Sequence, residues 1–462
     1  MNTDVLVIGG GNAAIVSALT AADGGARVLV LERAPAHFRG GNSRHTRNIR
    51  CAHNTGDGFT TGPYPSAELW CDLCTVGDGP SDERLADLTV RQSTYAPAWM
   101  AAHGAHWQAA LSGTLNLART NRFFLGGGKA LLNSYYRTAE RAGVTIAYDT
   151  RVTGLEWDGE TCTGVRTEDG RLVRAASVIC ASGGFEANLE WLGRYWGDAA
   201  QGFHVRGPAY NDGGVLRELL DAGAQQAGEE RGFHAVAVDA RSPRYDGGIA
   251  TRIDSIPFGI VVDRDGRRFY DEGEDIWPKR YASWGHNIAL RPGQIAYALW
   301  DTKVQGAFLP PMYGTYTAQT VEELAELLGL NKRAVTETVG AFNAAVDRGG
   351  ASSRPFTMAE PDGRATAGLD PPKSNWAQRL DTPPYHAVPM RPGITFTYLG
   401  VAVTDGARVR RVDGGVFQNV FAAGEIMSGN ILSTGYLAGF GMTIGTVWGR
   451  IAGWEAVRHA LG

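Results

Sequence analysis

Residues 4 to 24, DVLVIGGGNAAIVSALTAADG, set a short apolar run, three glycines and a small-residue helical pattern in immediate succession. The run reads as a buried strand and the pattern after Gly11 as a helix. Between them stands Gly9-Gly10-Gly11-Asn12-Ala13-Ala14, which has the spacing GxGxxA. At that spacing Gly9 permits a tight turn, Gly11 lets the backbone approach a pyrophosphate, and Ala14 keeps helix and strand close. The start of the helix then presents free N–H groups to phosphate charge. A second apolar run, ARVLVLE, ends on Glu32 and is followed by Arg33. A carboxylate roughly 20 residues after the glycines can take ribose hydroxyls. Strand, glycines, helix, strand and acid in this order predict an α/β Rossmann-like domain with a dinucleotide site. FAD and NAD share such a turn, so the turn alone leaves both open.

At 462 residues the chain exceeds the size at which a single core stops growing, which predicts two domains. With 20% charged residues and a net charge of -4 it has no general attraction for nucleic acid, and its 12 tryptophans are not interleaved with basic runs. The five cysteines fit reduced thiols, and Cys71-Asp-Leu-Cys74 lacks the second pair that a zinc site needs, so no metal is expected. Their spacing also excludes an iron–sulfur cluster in this chain. No apolar run reaches the roughly 18 residues of a membrane span, and nothing resembling a signal peptide precedes the first strand, so a cytoplasmic location is expected.

Two distant segments complete the nucleotide site. NVFAAGEI, residues 419 to 426, is a strand closing on Gly424-Glu425, followed by a glycine-punctuated return to a terminal helix. It resembles the C-terminal flavin segment of the succinate dehydrogenase/fumarate reductase flavoprotein family, and VICASGGF at 178 to 185 resembles another flavin-side segment of that family. The strings GNSRHTRN, LARTNRFFLGGGKALLNSYYRTAE, RRFYDEGED, PPKSNWA and GITFTYLG are similar to the branch of the family that oxidises tricarballylate to cis-aconitate. The resemblance implies FAD as cofactor. It assigns to it Gly9, Gly11, Asn12, Ala13, Ala14, Glu32, Arg33, Gly41, Asn42, Ser43, Val152, Ala181, Gly183, Gly424, Glu425, Met442 and Thr443. It also implies a glutathione-reductase-type FAD domain, over 1–230 and 394–462, interrupted by an α+β capping domain over 231–393. Patterning agrees: VVDRDGRRFYDEG reads as strand, turn, strand, and 321–349 as amphipathic helices outside the βα series.

A substrate with two or three carboxylates can be desolvated only against opposite charge or several donors, and the fork of arginine suits it. Arg44, His45 and Arg47 follow the flavin-side loop GGNS directly; Arg119 with Arg122, and Thr251 with Arg252, form two further candidate groups. Each arginine could equally balance cofactor phosphate or form a solvated face. His45 lies in Ser43-Arg44-His45-Thr46, one residue longer than the family's SHT loop, whose histidine is tied covalently to the flavin; covalent attachment, substrate contact and a structural role all stay open.

Dehydrogenation next to a carboxylate requires loss of the acidic α-proton and passage of a hydride to the flavin. In fumarate reductases an arginine shortly after an Arg-Phe-x-Asn-Glu string carries the proton. Here Arg268-Phe269-Tyr270-Asp271-Glu272 fits the string, and Arg280 is the next arginine. Two family carboxylate anchors are missing, because a histidine falls on Phe396 and an arginine near Gly435-Tyr436; Tyr398, His386 and Arg391 are the candidates to replace them. The expected enzyme is an FAD-dependent dehydrogenase of a small polycarboxylate, passing electrons to a separate acceptor such as an iron–sulfur or membrane-bound protein. A steroid-type or cobalamin-pathway flavoprotein of the same fold is the alternative.

Overall fold

The computed structural model describes residues 2–77, 79–110, 117–350 and 360–462. The chain divides into two units, one formed by Met1–Tyr195, Gly207–His234 and Thr395–Gly462, the other by Trp196–Arg206 and Ala235–Ile394.

The first unit is built on strands β1 (Asn2–Ile8), β2 (Val28–Leu31), β3 (Thr145–Ala147), β4 (Leu172–Cys180), β5 (Arg408–Arg410) and β6 (Val416–Ala422). Their order across the sheet is β5-β6-β4-β1-β2-β3. All neighbours from β6 to β3 pair in parallel, and β5 is antiparallel to β6. Parallel strands are covered on both faces, which is why VLVI and VLVL read as unbroken apolar runs rather than alternating ones. Val5, Leu6, Val7 and Val30 are completely buried. A hairpin of Val152–Asp158 and Thr161–Thr167 adds to β4 in antiparallel sense.

Helix α1 (Asn12–Asp23) follows β1, α2 (Gly127–Arg141) lies further on, and α3 (Phe440–Leu461) ends the chain. Helix α3 carries glycine at 445, 449 and 453, one turn apart, on its face toward α1. A Cβ at Gly449 would come 2.7 Å from the Ala13 carbonyl oxygen, and one at Gly453 2.6 Å from that of Ser17. Close helix approach is thus what these glycines provide. The arrangement gathers the carboxyl ends of β1, β2, β4 and β6, which is where an open parallel sheet binds its ligands.

The second unit holds the greater part of Tyr385–Thr397, whose last three residues belong to the first unit; it is the central strand of a six-stranded sheet, antiparallel to Ala296–Asp301 and Tyr316–Ala318 and parallel to His204–Val205. Ala296–Asp301 pairs in turn with Ile260–Asp263. Helices Val321–Leu327 and Lys332–Gly349 cover it. The first is opened by a capping box of Thr320 and Glu323, the second by Asn331, whose side chain accepts from the Ala334 N–H. Val335, Val339 and Phe342 of the longer helix pack with Leu324, Ile260, Val262 and Leu299 into one buried cluster. Among the described residues no helix is long and apolar enough to cross a membrane.

Candidate cofactor and active site

The cradle at the strand ends is made by backbone contacts that only small residues allow. Gly9 has φ 113°, and a Cβ on it would lie 2.4 Å from the Ala181 carbonyl oxygen, so the turns after β1 and β4 touch there. Gly11 differs: an added Cβ would find nothing closer than Ser43 Oγ at 3.6 Å. Helix α1 has no side-chain cap, although the Asn12 N–H donates to Ser43 Oγ at 3.1 Å. The Asn12 amide donates to the Met442 carbonyl and to Thr446 Oγ1, while its Oδ1 is buried with no hydrogen-bond partner among the described residues. Gly424 meets the same turn, since its Cβ would stand 2.6 Å from that of Ala13. Ala14 is fully buried.

Glu32, just past the end of β2, is 6% exposed and accepts from the Ala34 N–H at 2.7 Å. Burial pushes its carboxyl up to about 7, against the backbone N–H groups of Ala34, Gly40 and Arg33. An uncapped helix start, an orphaned amide oxygen and a desolvated carboxyl fit the phosphates and ribose hydroxyls of a dinucleotide. Gly41, Asn42 and Ser43 form the adjoining turn, and a Cβ at Gly183 would fall 2.7 Å from Asn211 Nδ2. The other assigned side chains are engaged in the protein itself: Arg33 pairs with Asp212 at 2.6 Å, Thr443 Oγ1 donates to the Arg50 carbonyl, and Val152 is buried at the start of its hairpin.

The arginines lie in several settings. Arg44 donates to the His37 carbonyl at 3.5 Å, lies over Phe38, and with His37, Arg39 and Lys129 lines a basic surface pocket. His45 shares its turn, and Arg47 lies over the Phe123 ring. Arg50 is buried, bonded to Tyr64 and the Ala438 carbonyl. Arg119 binds both carboxylate oxygens of Glu68, and Arg122 pairs with Asp57 at 2.7 Å. In the second unit Arg252 pairs with Asp254 at 2.8 Å, both side chains 8% exposed, and Arg280 lies 3.3 Å from Glu274. Arg391 donates to backbone carbonyls, and His386 contacts Thr302 and Thr317. Tyr398 is fully buried, its hydroxyl donating to the Gly435 carbonyl at 2.9 Å.

The model of the FAD binding domain matches residues 4–441. The chain belongs to that family. This flavoprotein binds FAD and is an oxidoreductase. It is 27% identical over 476 residues to a probable fumarate reductase of Shewanella frigidimarina, covering 99% of this chain and 75% of that one. Among solved structures it resembles the open conformation of a flavocytochrome c3 fumarate reductase, with TM-score 0.74 and 24% identity over 100% of this chain and 79% of the other. It also resembles a 3-ketosteroid Δ4-(5α)-dehydrogenase from Rhodococcus jostii, with TM-score 0.73 and 23% identity over 99% and 97%. These likenesses show a mixed α/β flavoprotein fold.

Two groups in this FAD-binding chain escape motif reading. Glu186 and Asn211 join Asn42 and Glu425 in a buried polar cluster. The sign was an acid placed directly after the apolar string VICASGGF. His234 stacks on Tyr436 with ring centroids 3.8 Å apart and planes 6° from parallel, and Phe396 lies 6.0 Å from Tyr436. No spacing rule links residues so far apart in sequence.

Proposed function

We propose that the protein is an FAD-dependent dehydrogenase of a small polycarboxylate at a CH–CH bond, tricarballylate to cis-aconitate or a close relative. The observation that carries this reading is the position of Arg44, His45 and Arg47 on and beside the turn that forms the cradle's edge. Arg44 is the strongest of them, because its contacts among the described residues are a carbonyl and a ring rather than a carboxylate. Arg119, Arg122 and Arg252 would have to share or give up an acid partner before binding a substrate carboxylate. When bound, FAD supplies the two-electron acceptor. The chain's share is to hold the carboxylates, exclude water and take the α-proton.

Arg280 is our assigned proton acceptor. Its Nε is buried with no hydrogen-bond partner among the described residues, and Glu274 beside it also accepts from the Tyr270 hydroxyl at 2.6 Å. Because a guanidinium has no free lone pair, Arg280 can take the α-proton only by giving one of its own to a carboxylate, and Glu274 at 3.3 Å is placed to receive it. Tyr398 acts through its fixed hydroxyl as a positioning group. We assign the second unit as the cap, and electrons leave to a separate carrier. A second reading, a steroid-type dehydrogenase, is favoured by the Phe396 and Tyr436 rings at the positions where carboxylate anchors are missing, with His234 stacked on Tyr436. Anaerobic incubation with tricarballylate tests the proposal. Bleaching of the flavin absorbance is expected; bleaching by a 3-ketosteroid and not by tricarballylate would overturn it.

A further inference from the structure

Three segments of the first unit, carrying Asn42, Asn211 and Thr395 with Thr397, meet on a pair of acids. Glu186 is completely buried and Glu425 is 9% exposed. Asn42 Nδ2 donates to Glu186 Oε1 at 2.5 Å and lies 3.4 Å from Glu425 Oε2. The same nitrogen donates to the Thr395 carbonyl at 2.6 Å. Asn211 Nδ2 donates to Glu186 Oε1 at 2.6 Å, and the Thr397 N–H to Glu425 Oε1 at 2.9 Å. Both acids therefore have an oxygen within 3.4 Å of one amide nitrogen, so two buried carboxyl groups stand side by side, and Glu186 Oε2 is buried with no hydrogen-bond partner among the described residues. Two buried carboxylates so close cannot both stay ionised, so the pair keeps one proton.

We propose that Glu186 and Glu425 hold one proton in common and, through Asn42, latch the turn that carries Ser43, which makes Glu186 a positioning residue for the cofactor. Burial raises both carboxyls, and the charge of Glu186 raises Glu425 further, so Glu425 carries the proton. Glu186 then keeps the charge and the two amide donors. The titratable groups on the neighbouring segments are otherwise engaged: Asp212 pairs with Arg33 and Arg151, and Arg44 turns to the His37 carbonyl, while His45 sits on the latched turn itself. Loss of the shared proton at high pH leaves two buried charges facing each other, and the latch opens.

Cofactor retention is the property at stake, and it does not depend on the substrate. The test is FAD release from the diluted holoenzyme, read as recovered flavin fluorescence, from about pH 6 to about pH 9. Glu186→Gln keeps an acceptor for Asn42 and Asn211 but removes the shared proton. The expected result is near-normal FAD affinity at about pH 6 in this variant, and a loss with rising pH that is smaller than in the wild type by about tenfold. Glu32 titrates in both proteins and cancels from the comparison. Superimposable pH profiles would overturn the proposal. Glu186→Leu, which strands both amides, should weaken FAD binding by about tenfold or more at every pH, and wild-type retention in that variant would equally overturn it. Should the leucine variant fail to fold, Glu425→Gln against wild type decides, with a flattened profile expected and an unchanged one contrary.

Discussion

The cradle and the arginine groups solve charge in opposite ways. At the cradle the acids Glu32, Glu186 and Glu425 are buried and raised toward the neutral form by desolvation. Arg119, Arg122, Arg252 and Arg280 each stand against a carboxylate of the chain itself. The cradle thus holds desolvated groups that gain when a donor-rich ligand arrives, whereas these arginines have partners before any ligand comes. The difference teaches that a basic residue near a motif is weak evidence of a substrate site until its partner is known.

The largest effect that would sharpen this contrast is at Gly9. Gly9→Ala places a Cβ 2.4 Å from the Ala181 carbonyl oxygen at φ 113°, so the turns after β1 and β4 must part. The purified variant should be colourless, with flavin absorbance as the measurement. Arg252→Met comes next. It leaves the Asp254 carboxylate buried with the Trp277 indole Nε1–H as a remaining donor at 2.8 Å, a cost of about 3–5 kcal/mol. The first thermal transition should fall by several degrees, and Asp254→Leu added to it should recover part of the loss.

Glu32 sharpens the comparison from the acid side. Its folded carboxyl, at about 7, lies above the ordinary glutamate value of 4.5, so the cofactor-free protein binds this proton more tightly than the unfolded chain does. Its contribution to stability is therefore fully present below that ordinary value and is lost as pH rises through about 7, by about 3 kcal/mol in all. Glu32→Gln should remove that decline from the urea midpoint of the deflavinated protein measured against pH. A parallel slope in both proteins would place the titration elsewhere.

How much of this was legible in the sequence depended on how local the cause was. Gly9, Gly11 and the α1 start could be read because turn, helix and strand follow one another within a few residues. The parallel strands were legible in unbroken runs such as VLVI. Glu186 was not, since its meaning comes from Asn42, Asn211 and Glu425, brought from remote segments. The partners Glu68 and Asp57 were equally hidden, because ion pairing across the 51 positions between Glu68 and Arg119, or the longer span from Asp57 to Arg122, leaves no periodicity in the chain. The Phe396, Tyr436 and His234 stack shows the same limit for aromatic residues.

A smaller effect is expected at Arg44, whose contacts include no carboxylate among the described residues. If it clamps a substrate carboxylate, Arg44→Met removes a charge-assisted hydrogen bond of about 1.5–3 kcal/mol. The kcat/KM for flavin reduction should then fall by about one to two orders of magnitude with flavin content unchanged. Normal kcat/KM with reduced flavin content would instead assign Arg44 to the cofactor.

The smallest effect is expected at Arg119, and it bears most directly on the contrast. Its guanidinium takes both oxygens of Glu68 and also donates to the Pro63 carbonyl, with side chains 32% and 37% exposed. A half-exposed pair of this kind contributes about 1 kcal/mol or less, because water screens the charges and ordering two long side chains opposes the attraction. Arg119→Met should therefore shift the thermal transition by no more than about 2–4 °C. Flavin content and kcat/KM should stay within about twofold of wild type, since a guanidinium already held by a carboxylate offers little to a second one. Single-turnover flavin reduction over a range of tricarballylate concentrations makes the measurement. A rise in KM of about tenfold without loss of stability would show that Glu68 yields Arg119 to the substrate, and the division drawn between paired arginines and the cradle would fail at that residue.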